Sequence, residues 1–419
     1  MRKNYMVATA LKNKLLSVDD ISTITGFGAN VCVGGEISPS YKLKDLGVTC
    51  DSKILKLYNV WNRIFLYALN GVLYEYVDGN LYTVAKISEK PLLTGVVVKG
   101  NREVLVQTDE NSFIVGTTAQ PSGNIPIGSY SATYKGKMFV ADNTKIYFGG
   151  PFSFDGYSVN LDNFGFIGMP METGGIKGLA VYGDALIIIT AHAIYKLTVA
   201  DNVDYVVERI VAPALSVAEN SCKVVGDAVY FISGKRLAKY KNGNVTFLRT
   251  TLLGNNFKVG ESAVLDDKYL VTITYLDHAV QAIYSYDTIS GLDQVTSTFS
   301  TALCDGGIVA DDNDNRLYVM DESGIVNHGG AYWDSKVFDF NSAYSKVVSE
   351  INIVIDKPAE LLVRGDFGLT RFTLEKGRNV KRLNLLSKTF EFDIKVKNDT
   401  FSARDLKIKY RVVGDNYGV

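Results

Sequence analysis

Histidine, proline, tryptophan and cysteine are all scarce in this chain of 419 residues. The three histidines, His192, His278 and His328, are far apart, which argues against a histidine-built metal centre. No HExxH, GxSxG elbow, P-loop or GxGxxG ahead of a helix occurs, so the common signatures of metalloprotease, hydrolase and nucleotide chemistry are missing. Cys32, Cys50, Cys222 and Cys304 lack metal-type spacing and read as buried free thiols in a reducing compartment. No apolar run reaches the length of about eighteen residues that a spanning helix requires. The opening MRKNYMVATALKNKLLSV is interrupted by Lys12 and Lys14 and makes a poor signal peptide. One-signed charge is lacking too: 44 Lys and Arg face 45 Asp and Glu, for a formal net charge of −1, with no polybasic run. That balance gives no sign of a strongly basic surface that would clamp phosphates.

What is abundant is glycine, 38 residues, and tyrosine, 25, together with many valines. That is the composition of a turn-rich β protein. The phrase GLAVYGDALIIITAHAIYKLTV, residues 178–199, displays the pattern. A short β-type run ends at Tyr182, Gly183-Asp184 makes a tight turn, and Ala185 to Thr190 is an almost uninterrupted apolar strand, predicted to be buried on both faces. After Ala191-His192 a third strand alternates apolar with polar. Imperfect copies can be anchored on Asn62, Asn101, Gly136, Gly183, Gly226, Asp267 and Asn315. Apolar-Tyr pairs recur in the third strands, at Leu73-Tyr74, Ile146-Tyr147, Ile194-Tyr195 and Ile283-Tyr284. The anchors repeat about every 42 residues, the length of one four-stranded propeller blade. One blade cannot bury both its faces alone, so successive blades must stack around an axis.

The expected fold is therefore all-β: a β-propeller of about six to seven blades at 51–337, followed by a C-terminal antiparallel β-sandwich-like domain at 338–419. Residues 1–50 are irregular, with Gly26-Phe27-Gly28 and Gly34-Gly35 breaking short β runs. They are expected to act as an arm, or to supply a strand that closes the ring. GGPFSFDGYSVNLDNFGFIGMPMETGG, between the third and fourth units, reads as a long aromatic loop, and loops of that length are usually functional or interfacial. Its Phe152, Phe154, Tyr157, Phe164 and Phe166 are the candidate contacts to neighbouring subunits. Beyond Phe338 the strands lengthen and alternate cleanly, and between Lys346 and Arg411 fifteen Lys or Arg accompany nine Asp or Glu. Solvated sheet faces account for this excess, with contact to an acidic partner as the alternative.

No cofactor or metal site is expected. Asp311 to Asn315 resembles half of a calcium loop but lacks its glycine and closing glutamate, and reads as a hairpin turn. Arg364-Gly365-Asp366 reads as a strand-ending turn rather than an adhesion motif. Paired carboxylates of the kind used by propeller glycosidases would have to come from Asp142, Asp184, Asp227 and Asp321. Asp184 and Asp227 occupy equivalent repeat positions, which suits a turn role better than a catalytic one.

The order of phrases resembles the packaged-DNA stabilisation, or tail-nozzle, proteins of short-tailed bacteriophages. The resemblance rests on YKGKMFVADNTKIYFGGPFSFDGY at 134–157, GGIKGLAVYGDALIIITAHAIYKL at 174–197, DGGIVADDNDNRLYVMDESGIV at 305–326 and the closing LKIKYRVVG at 406–414. It implies a non-enzymatic virion component, assembled in the host cytoplasm. It further implies a homohexameric ring below the portal and its adaptor that retains packaged DNA and conducts the duplex without reading its sequence. A carbohydrate-binding or glycoside-hydrolysing propeller and an intracellular scaffold propeller are the readings set against it.

Overall fold

The computed structural model describes residues 6–9, 29–32, 36–39, 42–98, 100–109, 112–116, 125–149, 165–199, 205–248, 257–276, 280–289, 293–297, 302–312, 314–321, 331–334, 345–366, 368–396 and 403–412. The phrase at 178–199 folds as its pattern predicts. Ile176–Tyr182, Ala185–Thr190, Ile194–Val199 and Tyr205–Ile210 form one antiparallel sheet in that order. Every residue of Ala185–Thr190 is buried. Its side chains divide between two apolar clusters: Leu186 and Ile188 pack toward the preceding sheet, Ile187 and Ile189 toward the following one. At about 1.5–3 kcal/mol per buried aliphatic side chain, such central strands account for much of the stability.

Seven sheets of this kind follow one another, spanning 54–86, 92–114, 130–168, 176–210, 223–247, 257–297 and 302–321. Six have four strands; the second has three among the described residues. Each first strand lies against the first strand of the next sheet, and that of the seventh, Ala302–Cys304, returns to Ile54–Val60 of the first. The first strands thus line a common axis. Their approach is close: a Cβ on Gly178 would sit 2.7 Å from the Cys222 Sγ. The turns after the first strands need positive φ, as at Trp61 and Asn62 (56° and 64°) and at Lys135 and Gly136 (47° and 71°). Such primed turns match the twist of the paired strands.

The seventh sheet corrects the expected phase. Asn315 belongs to the turn between its second and third strands, Ile308–Ala310 and Arg316–Asp321, while the first turn is at Asp305 to Gly307. A second strand of only three residues left no apolar run to stand out. The fourth strand is Lys42–Thr49, which pairs with Arg316–Asp321 and closes the sheet from the other end of the chain. Residues 42–49, within the stretch expected to be an arm or to supply a ring-closing strand, thus pair into the seventh sheet.

The remaining strands form two packed sheets. One is six-stranded and contains Lys346–Ile355, Gly377–Ser387 and Ala403–Val412 together with the N-terminal Met6–Thr9, Ala29–Cys32 and Glu36–Pro39. The other is four-stranded, ordered Ala331–Asp334, Phe390–Val396, Ala359–Gly365, Gly368–Leu374. Ala331–Asp334 lies before the expected boundary at 337 yet pairs with Phe390–Val396. Its partner lies some sixty positions away, so nothing local marked the change of sheet. One buried apolar cluster runs from the fifth and sixth ring sheets into these two sheets, joining Tyr230 and Tyr284 with Val348, Ile351 and Phe392.

The aromatic loop is shorter than expected, because Gly165–Gly168 is the fourth strand of the third sheet and Met171–Thr173 a 3-10 turn. Alternation over four residues, two of them glycines, was too weak to read as a strand.

Candidate functional site

Around the axis the first strands enclose a cavity of about 690 Å³, lined by residues from all seven sheets. The first strands contribute charged residues where an apolar one would be expected, Lys56, Lys177, Lys223 and Glu261, and the turn after the seventh sheet's first strand adds Asp305. Lys56 pairs with Glu261, and Lys90 Nζ lies 4.0 Å from the same carboxylate. Lys223 Nζ lies 2.8 Å from Asp305. Lys177 pairs with Glu219 at the entrance to the fifth sheet. The Lys56 and Lys223 pairs each reach past an intervening sheet, first to sixth and fifth to seventh, so they cross-brace that side of the axis.

Burial sets the electrostatics of this wall. The Lys56 ammonium is held below its ordinary pKa by desolvation, with Glu261 pulling the other way. The Tyr58 phenol is pushed well above its usual value by burial and donates to the Pro91 carbonyl at 2.5 Å. Tyr130 is raised by the same cause. Burial lifts the Cys222 thiol to about 12 and raises Cys304 as well, so both cysteines that line the cavity are protonated near neutrality. Neither has the low-pKa, exposed setting of a reactive thiol. The cavity was invisible to motif reasoning. The available signal was a charged residue inside a first strand, as in ILKLYNV and FKVGESAVL.

Of the four candidate carboxylates, only Asp142 lines the cavity. Asp184 and Asp227 sit in first turns at the opposite end of their sheets, paired with Lys135 at 3.0 Å and with Lys241. Asp321 ends the third strand of the seventh sheet, in register with Lys42. The structure therefore does not bring these four together.

Phe166 is exposed on the outer strand of the third sheet, with the Lys145 ammonium 5.1 Å above its ring. Phe152, Phe154, Tyr157 and Phe164 lie outside the described residues, as do His278 and His328. His192 bridges two segments at the second turn of the fourth sheet, its Nδ1 2.9 Å from the Leu215 carbonyl. Asp312 and Asp314 lie in turn conformation, the Asn315 amide donates to the Asp311 carbonyl at 3.1 Å, and Asp314 accepts from Arg316 and Tyr318. Arg364 is drawn to Asp393 at 2.6 Å, and Asp366 accepts from the Lys388 and Thr389 amides. Both charged members of that triplet thus serve the strand end. Among the described residues no group of three His, Cys, Asp or Glu is placed to hold a metal ion, and no helix is long and apolar enough to cross a membrane.

No protein-family model and no curated protein matches the chain. Among solved structures it is similar to the extracellular domain of a B. thetaiotaomicron hybrid two component system, with TM-score 0.46 and 13% identity over 82% of this chain. The chain spans about half of that domain, 47% of its length. It is also similar to BBS1N in complex with ARL6DN, with TM-score 0.44 and 9% identity over 68% of this chain and 99% of that one. The computationally designed Ika8 protein gives TM-score 0.39 and 11% identity over 66% and 100%. At these scores and identities none of them speaks to what this chain does.

Proposed function

We propose that the seven sheets are the blades of a seven-bladed β-propeller, and that the protein is a non-enzymatic subunit of a short-tailed phage tail. In this reading copies assemble into a ring, a homohexamer by the resemblance, below the portal and adaptor. The ring retains packaged DNA and passes it during ejection. The observation that carries the structural role is the way both chain ends tie the two bodies together. Lys42–Thr49 completes the seventh sheet while Met6–Thr9, Ala29–Cys32 and Glu36–Pro39 extend the sheet built by the C-terminal strands. A load on either body is thereby shared by strands from both ends of the chain. The ordered contact of seven first strands, returning to the first, supports the blade count.

The duplex path in this reading lies between subunits. The axial cavity has the volume of a small-molecule pocket, about 300–1,000 Å³, and the ion pairs of Lys56 and Lys223 brace it. A duplex whose major groove alone is about 12 Å wide has no room there. Electron microscopy of the purified protein should reveal closed rings, and particles lacking the protein should package DNA and then leak it. Particles that keep their genomes and infect normally would sink the proposal.

Carbohydrate binding in the axial cavity is the second reading. In its favour, Asp109, Asp142, Glu219, Glu261 and Asp305 line the cavity together with Tyr58 and Tyr130. Calorimetric titration with host-surface oligosaccharides decides it, since saturable binding lost in Asp142→Asn would move the function from the ring to the axis.

A further inference from the structure

The outer face of the six-stranded sheet carries charged residues that do not line the axial cavity. In Lys346–Ile355 the side chains of Ile351, Ile353 and Ile355 are buried in the sandwich, so the alternating Glu350, Asn352 and Val354 face outward. Register sets Arg382, Val380 and Arg378 of the edge strand Gly377–Ser387 beside these three. On the other side, Lys409 of Ala403–Val412 stands opposite Glu350. Arg378 and Val380 are exposed, and the Arg382 side chain is 86% exposed. Glu350 is the one acid among these positions, 3.8 Å from Arg382 and accepting from the Asn352 amide at 3.0 Å.

The edge strand and Ala403–Val412 flank one strand, so their rows lie about 9.5 Å apart, and Arg378 to Arg382 covers about 13 Å along the strand. The row separation falls between the minor- and major-groove widths of a duplex, about 6 and 12 Å, so cations in both rows can reach phosphates on facing backbones. No aromatic residue stands at these positions, which leaves the bases of a single strand without a stacking platform. An acidic protein partner fits less well. The exposed Val380 and Leu386 are separated along the row by Arg382 and Asn384 rather than forming the apolar centre of a protein interface.

We infer that this sheet face is the surface turned toward the duplex, touching its phosphodiester backbone through Arg378, Arg382 and Lys409 without reading sequence. The inference rests on the conduit reading and names the surface that would serve it. Three phosphate contacts give a salt slope of about −2.7, so affinity falls about 40-fold between about 50 and 200 mM salt. That is a contact weak enough to let DNA slide.

Fluorescence anisotropy with short duplexes of two unrelated sequences tests it on the full chain. Both duplexes should bind alike, with that slope, and better than a single strand of equal length. The double variant Arg378→Gln/Arg382→Gln should flatten the slope by about two units. Arg371→Gln, on the exposed face of the four-stranded sheet, should leave it unchanged. Should the double variant melt early, each single substitution must flatten the slope by about one unit. An unaltered slope overturns the inference, as does binding of polyglutamate without binding of duplex, which would assign the face to an acidic protein. The particle assay is independent. Duplex binding with normal protein-free particles rejects the conduit and keeps the face; no binding with leaking particles does the reverse.

Discussion

Lys56 and Glu261, 205 positions apart in the chain, form an ion pair at the axis between the first and sixth sheets, past the first strand of the seventh. Both side chains are largely buried, 14% and 16% exposed. The pair ties together sheets that share no hydrogen-bonded strand.

Removing one partner should therefore cost more than removing both. Glu261→Ala leaves the Lys56 charge buried and releases Lys90, with an expected loss of about 3 kcal/mol. Lys56→Met combined with Glu261→Leu should restore most of it, since apolar replacements of a buried pair are often neutral. Urea midpoints for the three proteins check this, and a single-variant loss below about 0.5 kcal/mol would show the pair to be solvated.

Ile188 is 0% exposed at the middle of a strand buried on both faces. Ile188→Asp is expected to abolish soluble folding, because an unpaired buried carboxylate costs several kcal/mol, comparable with a domain's whole stability of about 5–15 kcal/mol. Soluble protein with an unchanged melting temperature would refute the burial.

Closure of the seventh sheet depends on Leu43, which is 1% exposed and packs with Leu270, Ile283, Val309, Tyr318 and Met320. Leu43→Ala should cost about 3 kcal/mol. Arg316→Ala removes the exposed Arg316–Asp45 pair of the same two strands, at 2.9 Å, and should cost under about 1 kcal/mol. Equal losses in thermal melts would mean that the strand is held by its charges rather than its buried face.

Alkaline pH should unfold the protein. Burial raises Cys222 from 9.0 to about 12 and lifts Tyr58, Tyr130 and Tyr269 above their ordinary 10.0. In each case the folded state keeps a proton that the unfolded chain releases. Stability is then intact below pH 9 and declines as pH rises through 9 to 12. Lys56 works in the opposite sense, since its lowered pKa favours folding as the unfolded lysine loses its proton near 10.5. One lysine is outnumbered by the buried phenols and thiols. Circular dichroism against pH should show a higher alkaline midpoint in Cys222→Ala, and identical midpoints would reject the Cys222 contribution.

By itself the sequence determined the hairpins: their turns at Gly183-Asp184 and Gly226-Asp227, the buried strands between turns, and the third strands with their apolar-Tyr pairs. These follow from side-chain alternation and turn φ, which act over a few neighbouring residues. Tertiary structure alone decided which edges meet. Lys42–Thr49 joins Arg316–Asp321, Ala331–Asp334 crosses to another sheet, Lys56 finds Glu261, and Arg382 and Lys409 come to flank Glu350. Each of those pairings closes a long loop, and strand pairing over such distances leaves no periodic imprint near either residue.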